Sequence, residues 1–152
     1  MKEIRGSFSG KGKKITVVIS RFNEFISSQL IDGCLDTLKK SGVTDADISV
    51  IWTPGSFEIP QIISKLDTSK SDAIIALGAV IRGDTPHFDY IASEVAKGIA
   101  QLSLSKKIPI VFGVITADTL EQAIERAGTK QGNKGRDAAL TALEMATLYS
   151  QI

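Results

Sequence analysis

Apolar and polar positions along this chain fall in blocks rather than in strict alternation. KITVVIS (14–20) is β-branched and almost wholly apolar, which predicts a buried strand. An apolar stripe at helical spacing follows from Phe25 to Leu38, and Gly42-Val43 punctuates before a second short strand, ISVIW (48–52). TPGSFEIPQIISKL (53–66) predicts a turn and then a helix, with Pro60 restricting where the first helical turn lies. DAIIALGAVI (72–81) is a third strand. Phe88, Ile91, Ala92, Val95, Ala96, Ile99 and Leu102 form the stripe of a long helix behind it. IPIVFGVIT (108–116) is a fourth strand. DTLEQAIERAG (118–128) opens like a capping box, Asp118 with Glu121 three residues on, and closes at Gly128. A last helix runs from about Gly135 to Leu148.

Strands that are apolar throughout are expected when helices cover both faces of a parallel sheet. Right-handed β–α crossovers then give a three-layer, flavodoxin-like α/β fold with a parallel four-stranded sheet and helices on both faces. No composition shift, repeat or linker divides the chain, so residues 1–152 are read as a single domain. EIRGSFS, within residues 1–12, is either an extra edge strand or an arm reaching a neighbour. RFNEF, TPGSFEIP, GAVIRGDTPH and VITADT stand at the carboxyl ends of the strands, where open α/β sheets bind ligands.

Composition narrows the chemistry. No apolar run approaches the roughly 20 residues of a membrane span. The charged N-terminus has no hydrophobic stretch of signal-peptide length behind it, so a cytoplasmic location is expected. A formal net charge of +1 argues against a general nucleic-acid footprint. Cys34 is the only cysteine, which excludes an intrachain disulfide, and it falls in step with Ile26, Leu30, Ile31 and Leu38 as a core thiol. One cysteine and one histidine also argue against a structural zinc site.

That histidine sits in RGDTPH (82–87). Thr85 is placed to cap the following helix, with Pro86 at its first position and His87 in its first turn. Free backbone N–H groups of that turn, with the Thr85 hydroxyl, make an anion cradle beside a residue able to accept and return protons. Asp84 is repulsive to an anion there unless it turns away or pairs with a base. The ordinary alternative for His87 is a surface histidine at a helix start. No GxGxxG follows the first strand and no GxxxxGK[ST] occurs. GTKQGNKG (128–135) carries Lys130 and Lys134, which with Arg126 and Arg136 form a basic cluster suited to an anionic group, or else a solvated loop.

SRFNEFI, PGSFEIP, GAVIRGDTPHFDYI, FGVIT and EQAIERAGTKQGNKG stand in an order that strongly resembles the lumazine synthase family over nearly the whole chain. The resemblance implies condensation of 5-amino-6-(D-ribitylamino)uracil with 3,4-dihydroxy-2-butanone 4-phosphate. The products are 6,7-dimethyl-8-ribityllumazine, phosphate and water, in the penultimate step of riboflavin biosynthesis. It implies no metal or redox cofactor. Phe22 matches the aromatic that stacks on the pyrimidine. Ser56, Phe57 and Glu58, with Val80, Ile81 and Arg82, match the segments that bind the uracil and ribityl parts. Asp84, Thr85 and Arg126 match the butanone phosphate subsite, and His87 the proposed proton donor. Phe112 and Lys134, with Arg126, match residues supplied across a subunit boundary, since the family site lies between adjacent subunits of a pentamer.

Each role has a plainer alternative. Phe22 has a stacking face and equally suits a half-buried packing position; Glu58 suits a ribityl hydroxyl or solvent. Arg82 is also read as a surface charge, and Phe112 as sheet packing. Arg126 offers a planar fork for phosphate, and otherwise a charge suited to a helix C-terminus. Position 56 is serine where many relatives have alanine, and position 84 varies in the family. The resemblance further implies pentamers or hollow icosahedral particles of about sixty subunits, sometimes enclosing riboflavin synthase. GTKQGNKG resembles the loop of the shell-forming relatives, which favours the larger assembly. A flavin-binding module and a purely structural shell protein are the rival readings from other classes.

Overall fold

The computed structural model describes residues 1–128 and 132–152. Lys130, one member of the basic cluster, lies outside the described residues. Four parallel strands, β1 (Ile15–Ser20), β2 (Ile48–Thr53), β3 (Ala73–Ile81) and β4 (Ile110–Ala117), lie in the order β2-β1-β3-β4. The helices are α1 (Glu24–Lys40), α2 (Ile59–Lys65), α3 (His87–Ser105), α4 (Leu120–Arg126) and α5 (Lys134–Tyr149). This is the flavodoxin-like three-layer arrangement that the apolar runs predict.

The pleat divides the core in two. Ile15, Val17 and Ile19 of β1 and Ala73, Ile75, Leu77 and Ala79 of β3 face α1, α4 and α5. Val18, Ile74, Ala76 and Val80 face α2 and α3. Successive side chains of β1 are buried on both faces, which explains why its sequence does not alternate. Cys34 is fully buried in the first core, and burial pushes its thiol up to about 12.

Three local expectations shift. Pro86, not Thr85, occupies the position before α3, and no side chain caps that helix. Its carbonyl accepts from the Asp89 N–H at 3.1 Å. Proline's fixed φ suits either side of a helix boundary, so the start moves by one residue. Thr119, not Asp118, caps α4: its hydroxyl accepts from the Gln122 N–H, while Gln122 Oε1 accepts from the Asp118 N–H. Asp118 is freed to bond Arg82. Ala96 is exposed although it falls within the predicted stripe, because only Val95 and Ile99 of α3 are fully sealed against the sheet.

Residues 1–14 form neither helix nor strand. Part of this segment follows α5, where Ser7 exchanges hydrogen bonds with Thr147 and Gln151 Nε2 donates to the Arg5 carbonyl. The edge strands are less covered than the centre. Trp52 on β2 and Phe112 on β4 are both exposed by about half.

Candidate active site

The chain runs from β1 outward to β2, then back across β1 to β3, so strand order reverses between β1 and β3. At the carboxyl ends of those strands lies a cavity of about 420 Å³, the position expected at a topological switch point. Phe22 follows β1. Its neighbour Asn23 holds a left-handed backbone, φ 61°, and ends the loop by accepting from the N–H groups of Ile26 and Ser27. Asparagine tolerates that conformation better than most side chains. Phe22 is left 68% exposed as one wall.

Ser56, Phe57 and Glu58 enter from the turn between β2 and α2. Ser56 is buried, and its hydroxyl is used on the protein, donating to Ser20 Oγ at 3.3 Å and to the Ala79 carbonyl at 3.4 Å. Ser27 donates to the Ser20 carbonyl at 2.6 Å, so the floor under the cavity is a small polar lattice. Gly78 makes that lattice possible: a Cβ there would meet Ser20 Oγ at 2.6 Å and Ser56 Oγ at 2.8 Å. Gly55 leaves room for the Glu58 carboxylate, 3.0 Å from where its Cβ would stand. Val80 and Ile81 close the β3 side, and His87, the first residue of α3, reaches the rim.

One chain therefore brings together Phe22, Ser56, Phe57, Glu58, Val80, Ile81 and His87. Asn23, Ala79, Phe88 and Ile91 also line the cavity, although the sequence marks none of them as a site residue. Helical spacing signals only that Phe88 and Ile91 share the His87 face.

Arg82, Asp84 and Thr85 do not line this cavity. The Arg82 side chain lies 4.4 Å above the Phe88 ring. Its Nε donates to Asp118 at 2.8 Å and its Nη groups to Asp89 at 3.4 and 3.5 Å. The Asp118 hydrogen bond, with Asp89 beside it, holds the guanidinium proton more tightly than usual. Asp84 and Thr85 are exposed and are not gathered with Arg126 in this chain.

Phe112, Arg126 and Lys134 meet elsewhere, along the outer edge of β4, around a second cavity of about 270 Å³. Arg126 Nη1 is buried and has no hydrogen-bond partner among the described residues. A buried guanidinium nitrogen without an acceptor leaves a specific opening for an anion. Arg136 lies outside this group. A larger depression of about 520 Å³ shares Phe112 and Lys134 and continues between β4 and α5 past Met145 and Tyr149. It is larger than the switch-point cavity, but His87 lines only the smaller of the two.

No helix among the described residues is long and apolar enough to cross a membrane. The model of the family described as 6,7-dimethyl-8-ribityllumazine synthase matches residues 12–150. The match spans nearly every element described above, and the chain belongs to that enzyme family.

Proposed function

We propose that the cavity between β1 and β3 binds 5-amino-6-(D-ribitylamino)uracil and that a neighbouring copy of the chain completes the site with Phe112, Arg126 and Lys134. The family's reaction joins this amine to 3,4-dihydroxy-2-butanone 4-phosphate, and its members form homo-oligomers that act on small molecules. The observation that carries the proposal is the division of the matched residues. Seven line one cavity, while the cationic pair and Phe112 line another, with none shared between the two.

Phe22 stacks on the pyrimidine, and the segments Ser56–Glu58 and Val80–Ile81 fix the uracil and ribityl parts. Arg126 holds the phosphate as a planar fork. Thr85 and the uncapped start of α3 face the same anion, and Arg82 braces that start from behind. Asp84 lies at the margin of the phosphate subsite. The exocyclic amine attacks the butanone carbonyl and water is lost to give an imine. His87 relays protons in that step and in the later elimination of phosphate. The resulting enol tautomerises to a ketone, the ribitylamino nitrogen attacks that carbonyl, and loss of a second water completes the second ring. Alignment of two already reactive partners supplies much of the acceleration.

The assembly is a pentamer-based particle of about sixty subunits, with riboflavin synthase as its candidate cargo and the cytoplasm as its location. The half-exposed Phe112 and the open β4 edge support a covering subunit. The test is the rate of lumazine formation, followed by absorbance beside the enzyme-free reaction. A rate proportional to protein and clearly above background is expected. A background rate from folded, assembled protein would overturn the reading and return it to ligand binding or a structural shell.

A further inference from the structure

The Asn133 side chain makes three hydrogen bonds, and no sequence motif singles it out. Its Nδ2 donates to the Ala127 carbonyl at 2.8 Å and to the Gln29 carbonyl at 3.0 Å. Its Oδ1 accepts from the Arg136 N–H at 3.1 Å and caps α5. Residues 127 and 133 also pair as an isolated antiparallel bridge. One amide thus ties the end of α4, the middle of α1 and the start of α5. The residue before Ala127 is Arg126 and the residue after Asn133 is Lys134, the two cations on the β4 edge.

Glycines are placed around that amide. A Cβ on Gly33 of α1 would stand 2.4–2.6 Å from the Asn133 side chain. A Cβ on Gly135 would overlap the Leu30 carbonyl. Gly128, at φ +145°, lets the chain leave α4 beside Asn133 Nδ2. Helix α5 therefore packs against α1 at backbone distance, with the amide filling the one gap.

We propose that Asn133 is a positioning residue that sets the separation and direction of Arg126 and Lys134, so that both reach one anionic substrate group. This rests on the reading that the Arg126 edge holds phosphate. Asn133 itself touches no substrate; it acts by fixing the two backbone points from which the cations project.

Asn133→Asp separates this role from simple capping. Aspartate caps a helix as well as asparagine does, but it cannot donate, and it sets a carboxylate against the Ala127 and Gln29 carbonyls. Asn133→Ser keeps the cap without adding charge and cannot span the gap. Gly33→Ala disturbs the same amide from α1 with Asn133 intact. Each variant is assayed as the assembled protein for KM with both substrates, and for inorganic phosphate binding by calorimetry. All three are expected to raise the KM for the phosphate substrate about tenfold and to weaken phosphate binding similarly. The KM for the ribitylaminouracil is expected to stay within about twofold. Unchanged phosphate parameters in a folded Asp or Ser variant overturn the proposal, as does an equal rise in both KM values. Wild-type protein that binds phosphate without turnover removes the functional reading and leaves this inference to the calorimetry. If wild type neither binds phosphate nor turns over, both fail.

Discussion

At the ends of β1, β2 and β3 the chain folds into a concavity, with Phe22, Phe57 and His87 above a hydrogen-bonded serine floor. Along β4 it presents Phe112, Arg126 and Lys134 beside an open edge, and Arg126 keeps a buried nitrogen without an acceptor among the described residues. The first region is assembled by long-range topology, because two crossovers, β1 to β2 and β2 to β3, must form before its walls meet. The second depends on a polar tether, the Asn133 amide that joins the end of α4 to the distant backbone of α1. Apolar burial makes a pocket, but it does not place a cation for a partner. That requires polar geometry fixed from behind.

The largest expected effect falls on the edge. Arg126→Ala should raise the KM for the phosphate substrate by up to about 100-fold, the scale of a lost charge-assisted pair, while the other substrate's KM holds. Steady-state kinetics with each substrate varied in turn would check it, and equal rises in both would merge the two regions into one. If the regions belong to different subunits, co-assembling Arg126→Ala with His87→Ala chains should restore intact sites. About a quarter of sites recover under random mixing in a ring. Activity no greater than the average of the parents would place both halves in one chain.

His87→Ala should lower kcat by about 10- to 100-fold without abolishing turnover, at the low end for a proton-transfer group because alignment survives its loss. A wild-type rate across several pH values would remove it from the chemistry. Asp118→Asn should change kcat by no more than about threefold, since the Arg82 pair is solvent-exposed and Asp89 remains. Ser56→Ala should be smallest, within about twofold on either KM, because its hydroxyl is bonded to the floor rather than offered to a ligand. A large loss of uracil-substrate affinity on removing that hydroxyl would show that it reorients on binding.

The concavity was far more legible in the sequence than the edge. KITVVIS and DAIIALGAVI announce buried strands by composition, and their order alone predicts where loops collect. The family resemblance then names residues of both regions, and the cavity holds Phe22, Ser56–Glu58 and His87 as a group. What stayed hidden depends on contacts between distant backbones. GTKQGNKG looks like a basic loop until Gly33, a hundred residues earlier in α1, is seen to leave space for Asn133. Asp118 resembles a helix cap because Glu121 follows it, yet Thr119 also has a hydroxyl and a glutamine at the same spacing, and it takes the cap. Ala96 fits the helical stripe, yet it is exposed beside Phe112 at the start of the edge strand β4.

Cys34 gives the fold a built-in clock. Its thiol is fully buried in the core that α1 shares with the sheet, α4 and α5, and burial pushes it up to about 12. A thiol reagent in neutral buffer therefore reacts through molecules in which the core around α1 has opened. With a single cysteine per chain, the labelling rate counts those openings directly, in a monomer or in a closed particle alike. Comparing the two rates would tell how far assembly restrains the helix that carries Gln29 and Gly33, the backbone against which the Asn133 amide is held.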